Sequence, residues 1–139
     1  MVKGIYGFNI AVKDLASATA KYEKILNIKS THMPESDFAF PGMIGSIFNV
    51  GGVKIHLIAS LKEDTSVAKF LEKKGEGVFL VTIEVSDIEN ELERMKNEGA
   101  VLVSEKPFTG SFGKVNFIHP RSVNGIQIEV LEPSEKLRS

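Results

Sequence analysis

Two separate stretches of this chain recur at a single offset of 73 residues. Ile10-Ala11-Val12-Lys13-Asp14-Leu15 corresponds to Ile83-Glu84-Val85-Ser86-Asp87-Ile88. At the same offset, Gly52-Val53-Lys54-Ile55-His56-Leu57 corresponds to Gly125-Ile126-Gln127-Ile128-Glu129-Val130. One offset fitting both stretches means a duplicated module, and a duplicated module restricts the fold more than any local propensity.

Each copy follows the same order. A strand comes first, with Phe8, Ile10 and Val12 alternating against Gly7, Asn9 and Ala11. Asp14 then stands where a helix N-cap is needed, ahead of an apolar stripe of Leu15, Ala18, Tyr22, Ile25 and Leu26. In the second copy Val81, Ile83 and Val85 alternate, Asp87 caps, and Ile88, Leu92 and Met95 form the stripe. Strand-like runs follow each helix, over 28–33, 44–50 and 53–58, then over 100–104, 114–119 and 126–131. Gly51-Gly52 marks a tight hairpin, and 121–125 a longer turn.

A module of about 60 residues buries too little surface to be stable alone, so the two are expected to share a core. The expected fold is α+β: two pseudo-symmetric βαβββ modules forming a curved mixed sheet around one cavity, with the helices outside. The modules run over about 3–60 and 76–132 of a single domain, 1–132. A helical linker covers 61–76, with Asp64 or Thr65 as its cap and Val67, Phe70 and Leu71 inward, and a tail covers 133–139.

Charge and composition exclude several functions. Seventeen Lys and Arg against eighteen Asp and Glu leave a net charge of −1 with no block of one sign, which speaks against nucleic-acid and membrane-surface partners. The absence of cysteine removes disulfides, thiolate metal ligands and cysteine nucleophiles. No apolar run reaches the length of a membrane span, and the opening residues do not read as a signal peptide, so a cytoplasmic protein is expected.

Strand alternation selects the candidate site. With Phe8, Ile10 and Val12 against the helix, the opposite, concave face receives Gly7, Asn9 and Ala11, together with Lys54, His56 and Ile58. The second copy adds Leu80, Thr82 and Glu84, and then Gln127, Glu129 and Leu131. So many polar groups on an inward face suit a small-molecule pocket. His56 and Glu129 occupy equivalent positions of the two copies, and read as metal ligands, as a base and its partner, as a buried ion pair, or as an exposed pair that never meets. His119 reads as a satisfied strand-end histidine, His32 as a loop residue, and 109–114 as a mobile loop. No phosphate-binding glycine pattern is present.

The βαβββ repeat and its opening motif resemble the vicinal oxygen chelate superfamily, which includes glyoxalase I and the bleomycin-resistance proteins. The run 67–77, Val67-Ala68-Lys69-Phe70-Leu71-Glu72-Lys73-Lys74-Gly75-Glu76-Gly77, is similar to the linker of methylmalonyl-CoA epimerases. So is Phe117-Ile118-His119-Pro120-Arg121-Ser122, followed by Asn124-Gly125. The resemblance spans about 3–132. It implies a divalent metal held by His, Gln or Glu, His and Glu on four strands, and the matching positions here are Gly7, His56, Leu80 and Glu129. Two expected histidines are thus replaced, leaving His56 and Glu129 as a weak or vestigial metal pair, and no tightly bound cofactor is expected. The epimerases' catalytic glutamate falls near Phe40, with Asp37 and Glu35 the nearest carboxylates.

The expected function is binding of a small anionic organic or acyl-CoA-type ligand. As an enzyme the protein would be an epimerase-like isomerase or a glyoxalase-like lyase, with Glu129 and His56 catalytic. Asn9, Lys54, Thr82, Glu84 and Gln127 would bind the ligand. The alternative is a non-catalytic sequestering protein of the bleomycin-resistance type. A homodimer is expected from the family and from the sheet edges that pairing would cover.

Overall fold

The computed structural model describes residues 1–138. They form two compact units, one comprising 7–79 and the other 1–6 with the chain from 80 onward. Each is a mixed α+β module of the expected βαβββ order.

The unit of 7–79 contains β1 (Val2–Ala11, from Gly7 on), α1 (Leu15–Leu26), β2 (Thr31–Met33), β3 (Met43–Val50), β4 (Val53–Ser60) and α2 (Ser66–Lys74). Its strands lie in the order β2-β3-β4-β1, with β1 parallel to β4 and the other pairs antiparallel. The Asp14 carboxylate accepts the Ser17 N–H at 3.1 Å and starts α1 as expected. The helix buries Leu15, Ala18, Tyr22 and Leu26 against Val12, Phe48, Leu57 and Ala59. Ile25, expected in that stripe, is 73% exposed. One residue is a turn of 100°, and Tyr22 and Leu26 already define the buried line. Gly51 and Gly52 hold φ of 60° and 95°, the left-handed pair that a two-residue hairpin requires.

The linker helix does more than connect. Thr65, rather than Asp64, caps α2 by accepting the Ala68 N–H. Val67 packs on Ala11, Met43 and Ile58, and Phe70 meets Phe79 edge-on at 5.2 Å. Ala11 and Ile58 are therefore core residues, 0% and 1% exposed, and not the cavity lining that alternation suggested. Alternation fixes which face a strand residue takes, not what covers that face.

The other unit takes β5 (Gly77–Val85) from Leu80 on, α3 (Ile88–Asn97), β6 (Phe108–Gly110), β7 (Gly113–Ile118), β8 (Ile128–Pro133) and α4 (Glu135–Arg138). Its strands lie in the order β5-β8-β7-β6, with β5 parallel to β8 and the others antiparallel. Asp87 caps α3 through the Asn90 N–H, and Ile88 and Leu92 pack with Val85, Ile118 and Val130.

Three boundaries depart from expectation. The run 100–104 is not a strand and keeps a single bridge, Leu102 to Ile118. Buried Asn116 explains this, because its carboxamide accepts the Ser104 N–H and donates to the Ser104 carbonyl, taking groups a β ladder would use. The second strand of this module is the short β6 instead. The stretch 109–114 is a β6–β7 hairpin, with Gly110 facing Gly113, rather than an irregular loop. Where a tail was expected from 133 on, Pro133 ends β8 and Glu135–Arg138 form the helical turn α4, while Ser139 lies outside the described residues. No helix among the described residues is long and apolar enough to cross a membrane.

Candidate functional site

The parallel pairing of β1 and β4 sets Asn9 beside His56, on the strand face away from α1. Asn9 Oδ1 and His56 Nδ1 are 3.1 Å apart. The amide oxygen can only accept, so Nδ1 carries the ring proton. Burial, reinforced by the nearby Lys54 charge, depresses the imidazole pKa to about 4. His56 is accordingly neutral at pH 7.

The parallel pairing of β5 and β8 repeats this arrangement with different chemistry. Thr82 stands beside Glu129, and its hydroxyl donates to Glu129 Oε1 at 2.6 Å. Both pairs join residues 47 apart in sequence, and the 73-residue offset carries Asn9 onto Thr82 and His56 onto Glu129. The duplication therefore holds at the level of individual hydrogen bonds. Burial pushes the Glu129 carboxyl up to about 7, against the opposing pull of the Thr82 hydroxyl. A carboxyl so placed holds and releases a proton near neutrality.

Tyr6 belongs with this second pair. Its phenol pKa is raised by burial first, then by the charges of Glu84 and Glu129. Sequence reasoning missed Tyr6, although a phenol in the first strand beside the divergent Gly7 was the available signal. Glu84 is half-buried on β5, as is Lys54 on β4. Gln127 precedes β8, and its backbone carbonyl accepts the Val81 N–H. Leu80 is buried.

Outside these pairs, His119 and several carboxylates have structural work. His32 is exposed on β2, and so is a strand residue rather than a loop residue. His119 is exposed and accepts the Arg121 N–H at a short helical turn. Glu35 accepts the Gly42 N–H and so closes the loop that also carries Asp37 and the exposed Phe40. Asp87, Glu89 and Glu132 converge at the start of α3, where Asp87 caps the helix, Glu132 accepts the Ile88 N–H and Glu89 pairs with Lys114. A cavity of about 550 Å³ lies on the α1 side of β1, walled by Ile10, Val12, Tyr22 and Ile25, with Lys21 and Glu76 among its lining.

The metal set implied by the resemblance does not fit these residues. A Cβ built at Gly7 falls 2.1 Å from the Lys54 backbone carbonyl oxygen, so that position has neither a ligand nor room for one. Leu80 presents only hydrocarbon. Two protein donors are too few for the coordination a stable site uses.

The family model of the glyoxalase/bleomycin resistance protein/dioxygenase superfamily matches residues 8–119. The chain is 31% identical over 125 residues to the uncharacterized Bacillus subtilis protein YqjC, covering 89% of this chain and 88% of that one. It is 32% identical over 126 residues to the mitochondrial methylmalonyl-CoA epimerase of Homo sapiens, covering 87% of this chain and 69% of the human protein. The crystal structure of methylmalonyl-CoA epimerase from Mycobacterium tuberculosis superposes with a TM-score of 0.88 at 34% identity, over 99% of this chain and 92% of that one.

Proposed function

The chain belongs to the glyoxalase/bleomycin resistance protein/dioxygenase superfamily and is related to the methylmalonyl-CoA epimerases, and from that premise we propose that it binds an acyl-CoA thioester or a similar small organic acid without a tightly bound metal. The observation that carries this reading is the pair of repeat-related hydrogen bonds, Asn9 to His56 and Thr82 to Glu129. A wholly structural duplication has no need of ionisable groups at both equivalent half-buried positions, where desolvation penalises charge.

Glu129 is the acid–base group of this proposal. Its carboxylate would take the proton next to a thioester carbonyl, leaving the electron pair as an enolate, and the resulting acid would return a proton to carbon. Asn9, His56 and Lys54 of one unit and Thr82, Glu84 and Gln127 of the other are the ligand-recognising residues of the proposal, and the Thr82 hydroxyl holds the Glu129 carboxyl. The same reading includes a homodimer in the cytoplasm. Edge strands β2 and β6, each paired on one side only within its unit, support association.

The test is a thermal-shift screen of acyl-CoAs and small organic acids, followed by deuterium exchange from solvent into the bound ligand. Glu129→Gln keeps the side-chain volume and removes the basicity, so exchange falls on the order of 100-fold. Affinity falls with His56→Ala and is unchanged with His32→Ala. Equal losses from all three variants would refute the assignment, and binding without exchange in the parent protein would mean sequestration.

A further inference from the structure

Gly7 is a strand glycine whose backbone does not require glycine, since its φ lies outside the left-handed region that several other glycines of this chain occupy. What requires it is a close approach. The β1/β4 register sets Gly7 opposite Lys54. A Cβ there would lie 2.1 Å from the Lys54 carbonyl oxygen, 2.9 Å from its carbonyl carbon and 3.0 Å from its Cβ. Two of these three atoms are backbone, so no rotamer change relieves the overlap.

Nor is the Lys54 carbonyl free to retreat. β4 is held on its far side by β3, where Asn49 faces Lys54. Two residues along, His56 is tied to Asn9 of β1, and Leu57 and Ile58 are fully buried beyond it. Displacing the carbonyl means displacing a central strand from both neighbours and from its core.

The geometry points to a position on the first strand that is closed to every side chain, so that a histidine supplied there cannot complete a metal centre. The two modules differ in this respect. Leu80, the counterpart of Gly7 at the 73-residue offset, already accommodates a side chain of roughly histidine's size. One ligand position is filled with hydrocarbon and a substitution reopens it. The other is filled with backbone. No cation held by a side chain at that position is then available to a ligand oxygen near Gly7. This inference does not depend on whether the protein catalyses or only binds.

Cobalt(II) alone is the probe, because its visible absorption reports coordination without any substrate. Leu80→His and the double variant Gly7→His/Leu80→His are compared by cobalt titration and equilibrium dialysis, and Gly7→Ala by thermal unfolding. The double variant is expected to retain no more cobalt than Leu80→His. Gly7→Ala is expected to melt at least about 5 °C below the parent, or not to fold. One cobalt per chain in the double variant, absent from Leu80→His, would overturn the inference. So would a Gly7→Ala melting temperature within about 1 °C of the parent, a result that decides the matter even where the double variant does not fold.

Discussion

Replacing Glu129 with glutamine removes one titrating group from a protein in which two desolvated groups shift in opposite senses. Burial raises the Glu129 pKa from 4.5 to about 7 and lowers that of His56 from 6.5 to about 4. For Glu129, whose folded pKa is raised, the folded state holds the proton more tightly than the unfolded chain. Its contribution is complete below pH 4.5 and is lost as pH rises through about 7. For His56, whose folded pKa is lowered, the contribution is complete above pH 6.5 and is lost as pH falls through about 4. Each effect amounts to about 3 kcal/mol over its full range, at ~1.4 kcal/mol per pH unit. Between pH 4.5 and 6.5 the slopes cancel, so the parent protein's stability is nearly flat. The lowered carboxyls of Glu23, Glu89 and Glu91 act below their ordinary value of 4.5 and leave the interval from pH 5 to 6.5 undisturbed. Glu129→Gln exposes the histidine slope, and its stability rises by about 2 kcal/mol from pH 5 to 6.5. His56→Gln exposes the opposite slope and loses about 2 kcal/mol over the same interval. Urea unfolding at four pH values, with the m-value checked for constancy, measures both. A Glu129→Gln profile as flat as the parent's would refute the reasoning, because Glu129 would then be a normally ionising carboxyl in the folded protein.

The duplication makes a paired prediction about the helix caps. Asp14→Ala and Asp87→Ala each cost about 1 kcal/mol in chemical denaturation, and a null effect of either would mean that its cap is solvated in place. Light scattering is expected to give twice the chain mass of 15.2 kDa, and a monomer at high concentration would remove the homodimer from the proposal.

Much of this was legible in the sequence because it depends on spacing. The 73-residue offset carries the two N-caps, the parallel pairing of the first and fourth strands of each module, and the positions of Asn9, His56, Thr82 and Glu129. Periodicity alone separated the α1-facing residues from those opposite, since a strand side chain must point to one face or the other. What covers a face belongs to the tertiary structure. Val67 of α2 turned Ala11 and Ile58 into core, and the Asn116 side chain displaced a strand from 100–104 to Phe108–Gly110. Tyr6 joined Glu84 and Glu129 through space, with no pattern in the chain to announce it. The pKa values of His56 and Glu129 moved in opposite directions because desolvation penalises whichever form is charged, and desolvation comes from neighbours remote in sequence. Gly7 divides the two kinds of knowledge most sharply. The sequence determined that a ligand side chain is missing there, and only the approach of the Lys54 carbonyl decided that none fits, because two atoms cannot share one volume.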